Sequence, residues 1–574
     1  MQVVKFVVDL FPDSTKTLMR KHRWLHNLYS KGLQKSGFFY GFPTPQKLQK
    51  LYEKTIERQS TEIISLVNDF SNESRINVGL FLVGTDDIDV AGIEHLLTFD
   101  EVNKVILFGD FTNLTLSSDL KKSTRIEFYS GNSRFGYDDS RPCLLLKSVD
   151  RLQKEGIKVF LKYWLMNNSS DVIIYSDRDF IDQNGRRSNA ECLPSWNPDL
   201  HLSSGYLHTG LMFSGSGLYQ HFFDVLNRVT VDVIPIWIAQ LYLDQIDVNY
   251  VHIPLSLLHQ NKSAPRKWYR ALEQLDNNSF GIKPDPSSGI AKLLWQVQMP
   301  PLVTLIIPTK NAKHLVKTCI DSIIEKTSYK NFEILLVDNN SNEPESLDYF
   351  SEINRHEKIN VIEYPFPFNY SSINNFAVGH AKGSIIGLIN NDIEVISPDW
   401  LTYMVGHVCR PEIGCVGAKL LYPDNRIQHA GVVMGYGGGA GHAHKYFPRY
   451  HAGYLHRLGA SNNFSAVTAA CLLVKKRDFL AVNGLDEENL SVAFNDVDFC
   501  LKVLELGRHN LYCAEAVLYH HESISRGADD TKEKYDRFQS ELAYMQHRWK
   551  KYIDQDPAYN PNLTLRRENF AISE

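Results

Sequence analysis

Residues 302–311 read LVTLIIPTKN, residues 331–342 read NFEILLVDNNSN and residues 385–395 read IIGLINNDIEV. Each is a short apolar run that breaks off at a polar turn, at Thr309, at Asp338 and at Asn390-Asn391-Asp392. An apolar run without polar alternation is what a strand covered on both faces requires. Between the first two runs, Leu315, Val316, Cys319, Ile320, Ile323 and Ile324 recur with the period of a helix. Residues 370–384, YSSINNFAVGHAKGS, read as a second helix stopped by Gly383. Strand, helix, strand, helix, strand predicts an α/β fold with an open, mostly parallel sheet. Ligands of such sheets bind beyond the carboxyl ends of the strands. Thr309, Asp338 and the Asn390–Asp392 turn are therefore expected to share one crevice.

The same plan is legible upstream. INVGLFLVG (76–84) and NKVILFGD (103–110) read as strands around a helix, DVAGIEHLLTF (89–99). RPCLLLKSVDRLQKEG (141–156) reads as a helix, and SSDVIIYSDRDFID (169–182) as a strand ending in an acidic turn, Ser176-Asp177-Arg178-Asp179. Paired with Asp110 and Asp338, these features predict two copies of one fold. NNSFGIKPDPSSGIAK (277–292) and QMPP (298–301) have the composition of a linker. The expected division is a basic helical segment over 1–75, a first α/β domain over 76–285, a linker over 286–300, a second domain over 301–550 and a tail over 551–574.

Composition narrows the function. The 574 residues carry a net charge of −5, with 43% hydrophobic and 22% charged residues, so neither a disordered chain nor a nucleic-acid binder is expected. The eight cysteines form no CxxC pair and several sit in apolar runs, as buried thiols of a reducing compartment do. MQVVKFVVDLFPDSTK lacks the long apolar core of a secretory signal, and VIPIWIAQLYL (233–243) is shorter than the ~18–20 residues that cross a bilayer. A cytoplasmic protein is expected. Residues 16–54 carry nine basic residues and one acid among Trp24, Tyr29, Phe38, Phe39 and Tyr40. This pattern suits contact with an anionic membrane face, or a solvated helical hairpin.

Other residues bear chemistry. Asp392, at a strand end, is a hard ligand suited to Mg²⁺ or Mn²⁺. NDVDFCLKVLELG (495–507) reads as a helix from an Asn495 N-cap to Gly507, with Asp496 and Asp498 in its first turn. Asp496 is the candidate general base and Asp498 a structural acid. LYHHESISRG (518–527) ends a strand in His520-His521, of which one faces the site because neighbours on a strand point apart. Arg526 is a candidate phosphate ligand. The run GYGGGAGHAHKYF (435–447) lacks the strand and ribose-binding acid of a nicotinamide site, leaving a closing or plain flexible loop.

In order along the second half stand TLIIPTKN, EILLVDNNS, GLINNDIEV, IQHAGVVMG, GHAHKYFP, AVTAACLLVKK, VAFNDVDFCLK, LYHHESISRG and DPAYNPNLT. This half resembles inverting family 2 glycosyltransferases of the GT-A fold, and more closely the rhamnosyltransferase-like proteins of O-antigen and capsule assembly. The resemblance implies two tandem GT-A-like domains and a nucleotide-sugar donor, dTDP-rhamnose or a UDP-sugar. It implies a glycan or lipid-linked acceptor, and Mn²⁺ or Mg²⁺ as cofactor, at the inner face of the cell membrane. Thr309, Asp338, Asn390, Asn391 and Arg526 would contact the donor, and Asp392 with His520 or His521 would hold the metal. Asp496 takes the place of the base, and Asn390 departs from the family's first acid. In the first half, Ile234-Pro235 stands where the base is expected, which implies a degenerate copy. A bifunctional transferase with both domains active and a non-catalytic glycan-binding scaffold are the alternatives. A sugar-nucleotide pyrophosphorylase lacks its Gly-rich N-terminal loop here.

Overall fold

The computed structural model describes residues 43–573 apart from 69, 71–73, 83–85, 110–113, 130–140, 168–170, 183, 261–266 and 522–530. Asp110, Arg526 and the part of the basic segment before residue 43 lie outside the described residues. The rest of that segment holds a helix, Pro45–Val67, which Thr44 caps through its side chain.

The first sheet comprises β1 (Ile76–Phe81), β2 (Val102–Phe108), β3 (Ile126–Phe128), β4 (Cys143–Lys147), β5 (Arg151–Leu152), β6 (Val172–Ile181), β7 (Arg187–Glu191), β8 (Leu211–Ser214) and β9 (Asn249–Gln260). A hairpin of β10 (Phe280–Pro284) and β11 (Ala291–Trp295) follows. Then come β12 (Val303–Thr309), β13 (Phe332–Asp338), β14 (Ile359–Glu363), β15 (Ile385–Ile389), β16 (Ile393–Val395), β17 (Ile413–Leu421) and β18 (Ile427–His429). They are followed by β19 (Val432–Met434), β20 (Ala440–His442), β21 (Asn462–Phe464), β22 (Cys471–Lys475) and β23 (His509–His520).

The two large sheets follow one path. The first runs β3-β2-β1-β4-β8-β6-β9-β5 with β7 on β6; the second runs β14-β13-β12-β15-β22-β17-β23-β16 with β18 on β17. The sense of pairing agrees at each step, parallel from β3 to β4 and from β14 to β15, antiparallel into β8 and into β22, and parallel again for β6 with β9 and β17 with β23. The protein is α/β, with one plan used twice.

Both faces of the second sheet are covered. Val316, Cys319, Ile320 and Ile323 of the helix Lys313–Lys326 pack on one face with Trp400 and Met404. Ile373 and Ala377 of the helix Tyr370–His380 pack on the other with Phe499 and Leu501. This double cover is why β12, β13 and β15 read as unbroken apolar runs.

Several local expectations are corrected. Residues 141–156 form β4 and β5 and a turn between them, because Leu144, Leu145 and Leu146 are buried between β1 and β8. A short leucine run carries no period that separates strand from helix. In consequence the turn matching Asn390-Asn391-Asp392 is Ser148-Val149-Asp150. Ser176–Asp179 lies inside the ten-residue strand β6. Gly383 does not stop the helix, which ends at His380; a Cβ there would stand 2.6 Å from the Leu302 carbonyl oxygen. The glycine run builds the β19–β20 hairpin and the short turn between its strands. The stretch with linker composition is the β10–β11 hairpin.

The domains are tied together by buried polar contacts. Arg410 Nη1 meets Asp199 Oδ1 at 2.5 Å, with both side chains nearly fully buried. The Arg410 guanidinium also lies 4.1 Å over the Trp295 ring. From the C-terminal tail, Asn560 Nδ2 donates to both oxygens of Asp177 at 2.9 Å, and Asn562 Nδ2 adds a third bond at 3.2 Å.

Candidate functional site

Three strand ends meet at one edge of the second sheet. Thr309 and Asp338 are register partners across β12 and β13. Asn391, just past β15, donates from Nδ2 to Thr309 Oγ1 at 3.0 Å. Asp338 Oδ1 accepts the Ser341 amide at 3.0 Å, which folds the following turn back on the strand. Asn311 joins the loops after β12 and β13, its amide donating to Ser341 Oγ at 2.7 Å and its Oδ1 accepting the amides of Asn342 and Glu343.

The Asn390–Asp392 turn is met from the other side by β23. His520 Nε2 lies 3.1 Å from Asp392 Oδ1 and 3.2 Å from Asn390 Nδ2. His521 turns to the opposite face and sets its Nε2 3.1 Å from Glu394 Oε2. Burial pushes the Glu394 carboxyl up, but hydrogen bonds from His521 and Lys326 outweigh it and hold the group below its ordinary value. The alternation along β23 thus brings His520 to Asp392 and carries His521 away.

Asp496 reaches the same turn through one short peptide segment. Its Oδ2 accepts from Thr468 Oγ1 at 2.9 Å and from the Ala469 amide at 3.0 Å. The next carbonyl, of Ala470, accepts the Asn390 amide at 3.0 Å. Asp496 is half-exposed and Asp498 is buried, held by Trp549 Nε1 at 2.9 Å and Lys502 Nζ at 3.2 Å. Asn495 is the first residue of the helix Asn495–Glu505 and not its cap. The chain enters through Phe494 in the left-handed region, φ 59°, with no capping side chain. Glu541 holds the loop ahead of the helix, its carboxylate accepting the amides of Val492 and Ala493 at 2.9 and 3.1 Å.

Behind these groups stands β18. Gln428 Oε1 accepts from His520 Nδ1 at 2.7 Å, and the Gln428 carbonyl accepts from His442 Nδ1 at 2.8 Å. His429 Nδ1 donates to the Ala418 carbonyl at 2.8 Å, leaving Nε2 to accept the Gly431 and Thr468 amides, each at 3.2 Å. Burial, then the neighbouring His442 and His520, hold His429 well below the ordinary histidine value, so it stays neutral. Neither periodicity nor residue type marks Gln428, His429 or Thr468 as functional in the sequence. Their only signal was membership of IQHAGVVMG and AVTAACLLVKK.

A carboxylate oxygen and an imidazole nitrogen 3.1 Å apart form a donor set that fits Mn²⁺ or Mg²⁺, the imidazole favouring Mn²⁺. Elsewhere among the described residues, His407, Cys513 and Glu515 bring one ligand atom each within 4.8 Å. Arg410 Nη1 lies 3.2 Å from His407 Nδ1, however, and burial keeps the Cys513 thiol protonated, so this buried group is poorly suited to a cation.

The first domain places other polar residues at the corresponding positions of its sheet. His259 pairs with Arg151 across β9 and β5 as His520 pairs with Ile393. Its Nδ1 meets Asp179 Oδ1 at 2.7 Å and its Nε2 meets Gln153 Oε1 at 3.1 Å. Asp150 Oδ2 accepts from Thr209 Oγ1 and from the Lys147 amide. The helix Val233–Leu243 is entered through Asp232 in the left-handed region, φ 52°, as the helix Asn495–Glu505 is entered through Phe494. Its second residue, Ile234, therefore occupies the place of Asp496, and it is buried.

Residues 304–464 match the model of the family described as Glycosyl transferase family 2. Two relatives are similar over most of this chain. An uncharacterised protein, y4gI, of Sinorhizobium fredii is 42% identical over 70% of this chain and 46% of its own length. The O-antigen biosynthesis protein RfbC of Myxococcus xanthus is 32% identical over 68% of this chain and 31% of its own. The chain thus spans less than half the length of these relatives. Among solved structures, the mannosyltransferase PcManGT from Pyrobaculum calidifontis, in complex with GDP-Man and Mn²⁺, is 16% identical over 51% of this chain and 74% of that one, with a TM-score of 0.32. GalNAc-T7 with UDP, GalNAc and Mn²⁺ is 14% identical over 47% and 52%, with a TM-score of 0.37.

Proposed function

We propose that the second domain transfers a sugar from a nucleoside-diphosphate donor to a hydroxyl of a growing polysaccharide, with inversion at the anomeric carbon. The family match over residues 304–464 supports glycosyl transfer, and the relative named for O-antigen biosynthesis supports a polysaccharide acceptor. The observation that carries the reading is the continuous link from Asp392 and His520, through Asn390 and the 468–470 segment, to Asp496. It sets a charge-binding corner and a base on one frame.

Thr309 and Asp338 line the donor side, with Asn391 held against Thr309. Asp392 and His520 would hold Mn²⁺ or Mg²⁺, which when bound balances charge on the departing diphosphate. Asp496 takes the acceptor proton as the new bond forms, in a single in-line displacement. Its bonds from Thr468 and Ala469 orient Oδ2, and Val497 N–H at 2.9 Å orients Oδ1. Arg526 remains a proposed phosphate ligand, and the basic, aromatic stretch 16–54 a proposed contact with the inner membrane face. The first domain is a non-catalytic copy that positions the second, since Ile234 has no proton to exchange and Asp150 and His259 are consumed by internal partners.

The test is transfer from labelled dTDP-rhamnose and UDP-sugars to a polysaccharide acceptor. Asp496→Asn is expected to lower turnover by at least ~10²-fold with donor binding retained. Turnover within a few-fold of the parent would remove Asp496 from the reaction, and transfer that survives Asp496→Asn but not a change in the first domain would favour a second active site.

A further inference from the structure

We infer that Gln428 is a positioning residue that fixes which nitrogen of His520 keeps its lone pair, and so makes the Asp392–His520 corner able to take a divalent cation. The inference rests on the metal-dependent reading above and deepens it. A carbonyl oxygen only accepts, so the 2.7 Å contact between Gln428 Oε1 and His520 Nδ1 places the proton on Nδ1. The lone pair then lies on Nε2, which accepts from Asn390 Nδ2 at 3.2 Å and stands 3.1 Å from Asp392 Oδ1. With the other tautomer, Nε2 carries a proton and has no lone pair to offer a cation. The choice of tautomer therefore decides whether Nε2 can serve as a ligand.

The position of Gln428 is itself fixed. It is 2% exposed, its carbonyl takes the His442 Nδ1 proton, and its chain neighbour His429 is tied to Ala418. His429 in turn receives the Thr468 amide, and the Thr468 hydroxyl donates to Asp496. The three-residue strand β18 thus braces both the cation corner and the base, with each of its two polar side chains assigned to one of them.

The test compares the parent with Gln428→Leu, which removes the acceptor, and Gln428→Glu, which keeps it, using full-length protein. Two readouts are taken. The first is ¹⁵N NMR of histidine-labelled protein without metal, with His520→Ala identifying the resonance. The second is Mn²⁺ affinity by electron paramagnetic resonance, with no donor present. The parent and Gln428→Glu are expected to show Nδ1–H, and Gln428→Leu to shift toward Nε2–H and lose 10–100-fold in Mn²⁺ affinity. Unchanged tautomer and affinity in a folded Gln428→Leu would overturn the inference, as would an Nε2–H tautomer in the parent. If Asp392→Ala binds Mn²⁺ as the parent does, the metal reading fails, and the spectra alone decide whether Gln428 sets the tautomer.

Discussion

Removing the Asp199 carboxylate would leave a buried guanidinium of the other domain without its main partner. Asp199 is 1% exposed and accepts from Arg410 Nη1 at 2.5 Å and from Asn463 Nδ2 at 2.9 Å. Breaking a buried pair by deleting one partner costs ~3–5 kcal/mol. Arg410 keeps Glu412 Oε1 at 2.9 Å, which places Asp199→Ala near the lower end, about 3 kcal/mol. For a domain of this size that is a fall of ~6–12 °C in Tm. Differential scanning calorimetry of Asp199→Ala, and of Asp199→Ala with Arg410→Met, would check it. The double variant is expected to regain at least half of the loss, because no charge is then stranded. A single variant within ~0.5 kcal/mol of the parent, or a double variant less stable than the single, would refute the reasoning. The pH dependence has a definite sign. Burial raises the Asp199 carboxyl, but Arg410, then His407 and the hydrogen bonds outweigh it and hold the group below its ordinary value. A depressed carboxyl stabilises the fold above its unfolded pKa, near 4, and the contribution fades as pH falls through the folded value. The gap between parent and Asp199→Ala should be flat between about pH 5 and 8 and shrink below 4.

Other perturbations separate site from scaffold. Asn560→Ala should cost ~1–3 kcal/mol by chemical denaturation, because the fully buried Asp177 loses two hydrogen bonds from the tail. Ile234→Asp should destabilise the first domain without creating transfer activity, since the residue is 3% exposed and an acid there has no prepared partner; a gain of turnover in the transfer assay would contradict the non-catalytic assignment. Gly431→Ala should lower Tm sharply, because φ is +94° and the new Cβ would stand 2.2 Å from the Phe464 ring.

The second domain was largely legible because its strands are buried on both faces and its helices keep a clean period. The polar turns at Thr309, Asp338 and Asn390–Asp392 fall at strand ends because the interiors of β12, β13 and β15, covered on both faces, are mostly apolar. The first domain was harder. CLLLK has no period that separates strand from helix, and the turn corresponding to Asn390–Asp392 is Ser148–Asp150, not the more acidic Ser176–Asp179 inside β6. The alternation rule said that His520 and His521 face opposite ways but not which faces Asp392. That choice is made by the register of β23 against β16, a long-range pairing. Gln428 was hidden because its role comes from a strand of three residues, too short to leave a pattern.

The most direct test of the central claim is calorimetric titration of the full chain with UDP, dTDP and GDP in the presence and absence of Mn²⁺. The account predicts that one of the three nucleotides binds, that binding strengthens with Mn²⁺, and that Asp392→Ala abolishes the strengthening while Asp496→Asn keeps it. Nucleotide affinity that is the same with and without Mn²⁺, or Mn²⁺-dependent binding that survives Asp392→Ala, would contradict it.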